Sequence, residues 1–99
     1  MKVTLIVAAL LALSGTAMAD QKLAQSKACL SCHQIDKKVV GPALKDVANK
    51  YKGDAKAQEH LLGVVQKGGK GVWGNVPMPP QPGVKPDEAQ ALVKWVLSL

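Results

Sequence analysis

The segment "ACLSCHQ", Ala28 to Gln34, holds both cysteines of the chain and one of its two histidines. Cys29, Cys32 and His33 together admit four chemistries: half of a zinc site, a redox dithiol, a small disulfide, or an attachment point for haem. The remainder of the sequence discriminates among them.

The chain has 99 residues, which favours a single domain. Its first stretch is set apart from that domain. Met1-Lys2 is a short basic start, "VTLIVAALLAL" (Val3 to Leu13) is an unbroken apolar run, and "AMA" (Ala17 to Ala19) ends the stretch. A charged start, a short apolar centre and an A-x-A end are the pattern of a secretory signal peptide. A spanning helix needs about 20 apolar residues, and this run is shorter. The expectation is a signal peptide at residues 1–19, cleaved after Ala19, and one mature domain at 20–99. Export places that domain in an oxidising compartment, in a bacterium the periplasm.

Beyond residue 19 the chain has twelve lysines, no arginine and seven acids. The lysines are spread out and aromatic residues are few, which disfavours a nucleic-acid partner. Dispersed lysine suits solubility, and it also steers encounters with acidic partner proteins. No stable membrane insertion is expected, and a monomer is. The same stretch holds one Tyr, two Trp and no Phe. A chain of this size draws only about 3–5 kcal/mol from its own core, so a staple or a bound group is needed.

Periodicity is helical throughout. "QKLAQSKACL" (21–30) lacks glycine and proline and predicts one helix running into the cysteines. "IDKKVVGP" (35–42) is a loop. Pro42 suits a helix start, and Leu44, Val47, Ala48 and Tyr51 then recur at i, i+3, i+4 and i+7, one apolar helical face. Asp54 is the expected N-cap of the next helix, with Ala57, Leu61, Val64 and Val65 on its stripe and "KGGKG" (67–71) as its end. Five prolines between Val72 and Pro86 predict a structured loop. A last helix follows from Asp87, with Pro86 at its first turn and Ala91, Leu92, Trp95, Val96 and Leu99 inward. With no strand pattern, the fold class is all-α.

That background narrows the four chemistries. Zinc needs four ligands. Cys29, Cys32, His33 and His60 are the only soft candidates, and adjacent Cys32 and His33 fit a tetrahedron poorly. A thioredoxin-like dithiol belongs beside a βαβ pattern, which is missing. A disulfide from Cys29 to Cys32 closes too small a loop to restrict the unfolded chain much. C-x-x-C-H is the attachment signature of c-type haem. Two thiols add to the two vinyl groups, and His33 is held under the ring to bind iron. A flat apolar macrocycle also answers the shortage of core.

On the other side of the iron, Met78 and His60 are the candidates, as the only methionine and the only other histidine after residue 19. Met78 lies between Pro77 and Pro79, each of which fixes φ near −65° and restricts the preceding residue. Such a stiff segment suits a weak thioether ligand better than core filler. His60 sits at the edge of a helical stripe, and bis-histidine binding is the alternative.

"CLSCHQID", "VGPALKDVANKY", "GVWGNVPMPPQ" and "DEAQALVKWVLSL" together resemble the small bacterial class I cytochromes c of the c-551 and c-552 type. The resemblance spans residues 20–99. It implies a compact bundle of four to five short helices around one covalently bound haem c. It implies Cys29 and Cys32 as thioether anchors and His33 and Met78 as axial ligands. The Pro42 carbonyl would accept a hydrogen bond from His33, Trp73 would bond a haem propionate, and Gln81 would support the methionine loop. Trp95 would pack the last helix on the first. Relatives carry a basic residue where this chain has Val64, and "QPGVKP" (81–86) is longer and richer in proline. The implied function is a soluble electron carrier, not an enzyme. It would shuttle between a quinol-oxidising complex and a terminal oxidase or a reductase such as nitrite reductase. The alternatives are a haem sensor or peroxidase-like protein with a labile sixth ligand, and a structural metal module.

Overall fold

The computed structural model describes residues 20–99, and the expected signal peptide at 1–19 lies outside the described residues. Five helices follow in order, with no strand among the described residues. They are α1 at 20–26, α2 at Cys29–Cys32, α3 at Leu44–Lys50, α4 at Ala57–Lys67 and α5 at Pro86–Leu97. The all-α expectation holds.

Helix α5 is the hub and packs on both α3 and α4. Its start is well specified. Pro86 occupies the first turn, where its missing N–H forfeits nothing, and Asp87 and Glu88 oppose the helix dipole. The Glu88 carboxylate accepts the Lys85 N–H at 2.9 Å. Ala89, Leu92 and Trp95 join Ala24 of α1, Leu44 of α3 and Val84 in one cluster, so Trp95 is an anchor of the core. Leu99 departs from its expected inward place. It lies beyond the end of α5 and is exposed.

Three other boundaries differ from the sequence expectation. The single helix expected over 21–30 is divided at Lys27-Ala28, where Ala28 adopts a left-handed φ of 63°. An L-residue there costs roughly 1–2 kcal/mol. No local breaker exists, so the break is tertiary. The Lys27 ammonium donates to the Gly83 carbonyl at 3.1 Å and pairs with Glu88 at 3.3 Å. Pro42 does not begin α3. Ala43 caps that helix in an extended conformation (ψ 138°), and Pro42 is used elsewhere. Asp54 does not cap α4 either. Its side chain accepts the Lys56 N–H at 2.8 Å and closes a turn, leaving Lys56 as the cap.

The core is thin. Of eleven buried apolar residues among those described, five are alanine (Ala24, Ala43, Ala48, Ala57, Ala89) and Trp95 is the one aromatic. Alanines let helices approach closely but bring little transfer energy, whereas a fully buried Leu or Val contributes about 1.5–3 kcal/mol. Leu62 and Val65 of α4 and Leu30 and Ile35 near the cysteines are only partly buried against this cluster.

The Glu88 carboxyl is held below the usual carboxylate range, chiefly by the Lys85 N–H and further by the Lys27 ammonium. A lowered folded-state pKa stabilises above the unfolded value, and that gain is lost as pH falls through the folded one. Glu88→Gln is therefore expected to lower the thermal midpoint at pH 7 and to match the parent once the pH is low enough to protonate the folded-state carboxyl. An equal deficit at both pH values would contradict this.

Candidate functional site

Helix α2 is one turn that carries the motif. Cys29 and Cys32, three residues apart, lie on one helical face. Their sulfurs are not bridged. Burial pushes the Cys29 thiol up, the opposite of an activated redox dithiol. Among the described residues no three His, Cys, Asp or Glu side chains gather as a metal-binding group.

His33 ends α2 in an extended conformation, its N–H donating to the Cys29 carbonyl at 3.0 Å. The loop after it doubles back and is sewn to the residues around it. Gly41 N–H donates to the Cys32 carbonyl at 2.8 Å, Leu44 N–H to Gln34 at 2.9 Å and Lys45 N–H to Ile35 at 3.1 Å. The Lys45–Asp36 pair at 3.0 Å is exposed to solvent and adds little. The stitching brings the Pro42 carbonyl to 2.8 Å from His33 Nδ1. A carbonyl only accepts, so Nδ1 carries a proton, and in the neutral ring Nε2 then keeps its lone pair. That is the state an imidazole needs to bind a metal, with its orientation fixed by its other nitrogen.

Gly41, in the sequence pattern only part of the 35–42 loop, is a residue of this site. A Cβ there would stand 2.5 Å from His33 Cε1 and 2.8 Å from Nδ1. The ring thus lies in a cradle that only glycine leaves open. The Gly-Pro pair was the available signal: the proline supplies the acceptor and the glycine the room.

Met78 lies on a different element and is half-buried. Its backbone pairs antiparallel with Gly69, just past the end of α4. Gln81 Nε2 donates to the Pro79 carbonyl at 3.0 Å and Gln81 N–H to the Val65 carbonyl at 2.9 Å. Trp73 is 41% exposed, and the Lys50 ammonium sits 5.9 Å from both its ring and that of Tyr51. His60 is exposed, with its ring centroid 5.4 Å from that of Tyr51. Val64, half-buried on α4, brings no charge.

These residues fit a covalently held haem. Two thiols on one helical face precede an imidazole whose Nε2 is available and whose ring is cradled. A half-buried thioether is anchored separately. One sequence-family model, described as cytochrome c, matches residues 17–99. The chain is 48% identical over 94 residues to cytochrome c-552 of Hydrogenobacter thermophilus, covering 95% of each. It is 51% identical over 89 residues to cytochrome c-551 of Pseudomonas aeruginosa, covering 90% of this chain and 85% of the relative. The crystal structure of wild-type cytochrome c552 of Nitrosomonas europaea superposes with a TM-score of 0.78 at 47% identity, covering 80% of this chain and 98% of that one.

Gly41→Ala is expected to cost about 1–3 kcal/mol, because the imidazole must yield to the added methyl. Gly83→Ala, whose Cβ would meet nothing within 4 Å, serves as the control. Thermal unfolding of the two variants reads the difference, and equal midpoints would refute the cradle.

Proposed function

The chain belongs to the cytochrome c family, in its small c-551/c-552 group, and on that premise we propose that it carries single electrons on a His33/Met78-ligated haem between partner proteins. Its cofactor is haem c, covalently bound, and it is an electron-transfer protein rather than an enzyme. When bound, haem c supplies an iron centre that takes up and releases one electron.

The observation that carries the reading is the His33–Pro42 contact at 2.8 Å, which leaves Nε2 as the ligating atom. Cys29 and Cys32 are the thioether anchors. Met78 would supply the second protein ligand to the iron, supported by the stiffness of its proline flanks and by the anchoring of its backbone. A centre with both axial places filled offers no site to a substrate, which favours electron transfer over catalysis. A thioether favours the ferrous state, as does exclusion of water, so the potential is raised. Gln81 stiffens the methionine loop through Pro79 and Val65. Trp73 is the donor to a propionate. With Val64 uncharged, the Lys50 ammonium, 5.9 Å from the centre of the Trp73 ring, would offer that group a positive charge.

Export by a signal peptide cleaved after Ala19 would place the carrier in the periplasm. No helix among the described residues is long and apolar enough to cross a membrane. A monomer shuttling from a quinol-oxidising complex to a terminal oxidase or a nitrite reductase is the proposed cycle. Acidic surfaces on those partners would meet lysines near the motif. Lys37 and Lys38 are exposed and suit that role, whereas Lys27 is tied inward to Glu88 and Gly83.

Met78→Ala is expected to lower the midpoint potential and to let the ferrous protein bind CO. Redox titration and a CO difference spectrum read the two outcomes. An unchanged potential would move the sixth ligand to His60. A parent protein that already binds CO would favour the sensor or peroxidase reading.

A further inference from the structure

Helix α4 ends at Gly68, which has φ 84° and ψ 174°. This combination is essentially confined to glycine, and another residue there is strained. The conformation turns the chain so that Gly69 runs antiparallel to Met78. Gly69 N–H donates to the Met78 carbonyl at 3.0 Å, and Met78 N–H donates to the Gly69 carbonyl at 2.7 Å. Both backbone polar groups of Met78 are thereby used. The Gln81 N–H, bonded to Val65 within the last turn of α4, is a third tie. The loop from Met78 to Gln81 thus hangs from the end of one helix by three backbone bonds.

Gly68 also lies against that loop. A Cβ on it would stand 2.7 Å from the Met78 carbonyl oxygen and 3.1 Å from Pro80 Cδ. That oxygen is the acceptor of the Gly69 bond. Backbone strain and steric contact therefore act together on the same tie. Another glycine separates the two effects. Gly53 also has a positive φ, 80°, yet a Cβ on it would meet nothing within 4 Å.

We propose that Gly68 is a positioning residue for Met78. Its glycine-only conformation and its contact with the Met78 carbonyl hold the sulfur at the iron and set how often the ligand lets go. This rests on the reading of Met78 as the axial ligand. Proline stiffness alone would fix the shape of the loop but not its place. The α4 latch fixes the place.

The test uses the ferric holoprotein, with imidazole as a competing ligand and the far-red Met–Fe(III) band as the monitor. Apparent affinity for a competitor scales with the fraction of molecules whose methionine is off. Gly68→Ala is expected to raise that affinity about tenfold or more, from the size of the backbone strain. Gly53→Ala is expected to lose thermal stability while binding imidazole as the parent does. Parent-like affinity in Gly68→Ala would overturn the proposal, as would an equal rise in Gly53→Ala. Met78→Ala keeps the two ideas apart. If the parent shows no far-red band and Met78→Ala binds imidazole no better, the ligand reading itself fails. If Met78→Ala behaves as a ligand loss and Gly68→Ala does not, only the positioning role fails. Should Gly68→Ala yield no folded holoprotein, amide exchange in the parent decides. The Met78 and Gln81 amides should exchange far more slowly than those of exposed Val72 and Val76, and equal rates would overturn the latch.

Discussion

Trp95 is the one aromatic side chain buried among the described residues, and most of what surrounds it is alanine, valine and leucine. A domain this small has little surface to spare. Its helices are short, from one turn in α2 to three in α5. Short helices are marginal in water and depend on tertiary packing. The aliphatic cluster alone gives them little to pack on. The covalent cofactor is therefore best understood as part of the core as well as the redox centre. The fold and the function draw on the same group.

On the proposed ligation two separate parts of the chain would hold that group, and each is fixed by backbone more than by side-chain bonds. One is α2 with the loop that folds back over it, where stitches at residues 32–41, 34–44 and 35–45 deliver the Pro42 carbonyl to His33. The other is the end of α4, which holds the backbone of Met78 through Gly69. Backbone anchors are stiff and pay no side-chain entropy. Stiff ligands keep similar geometry in both oxidation states, which suits rapid electron exchange. The lone prolines and glycines in these segments, Gly41-Pro42 and Gly68, have specific tasks: an acceptor, room for a ring, and a turn no other residue makes.

Much of this was legible in the chain. The C-x-x-C-H spacing named the cofactor, and the i, i+3, i+4, i+7 pattern of Leu44, Val47, Ala48 and Tyr51 placed α3 on the core. Pro86 placed the start of α5. What escaped was set by contacts distant in sequence. Nothing around Ala28 announces a break, and the contacts made beside it, from Lys27 to Gly83 and Glu88, lie more than fifty residues away. Asp54 carried the residue type of a cap, but its side chain closed the turn before the helix. Gly41 and Gly68 looked like punctuation. Their roles depend on which atoms lie within 3 Å of a missing Cβ, and periodicity holds no such information.

The central claim is that the haem completes the core between the His33 and Met78 sides of the molecule. Far-UV circular dichroism of the haem-free chain, prepared as Cys29→Ala with Cys32→Ala, tests it most directly. The account predicts a largely unfolded spectrum with most helix lost. Full native helix and a cooperative thermal transition without haem would contradict it.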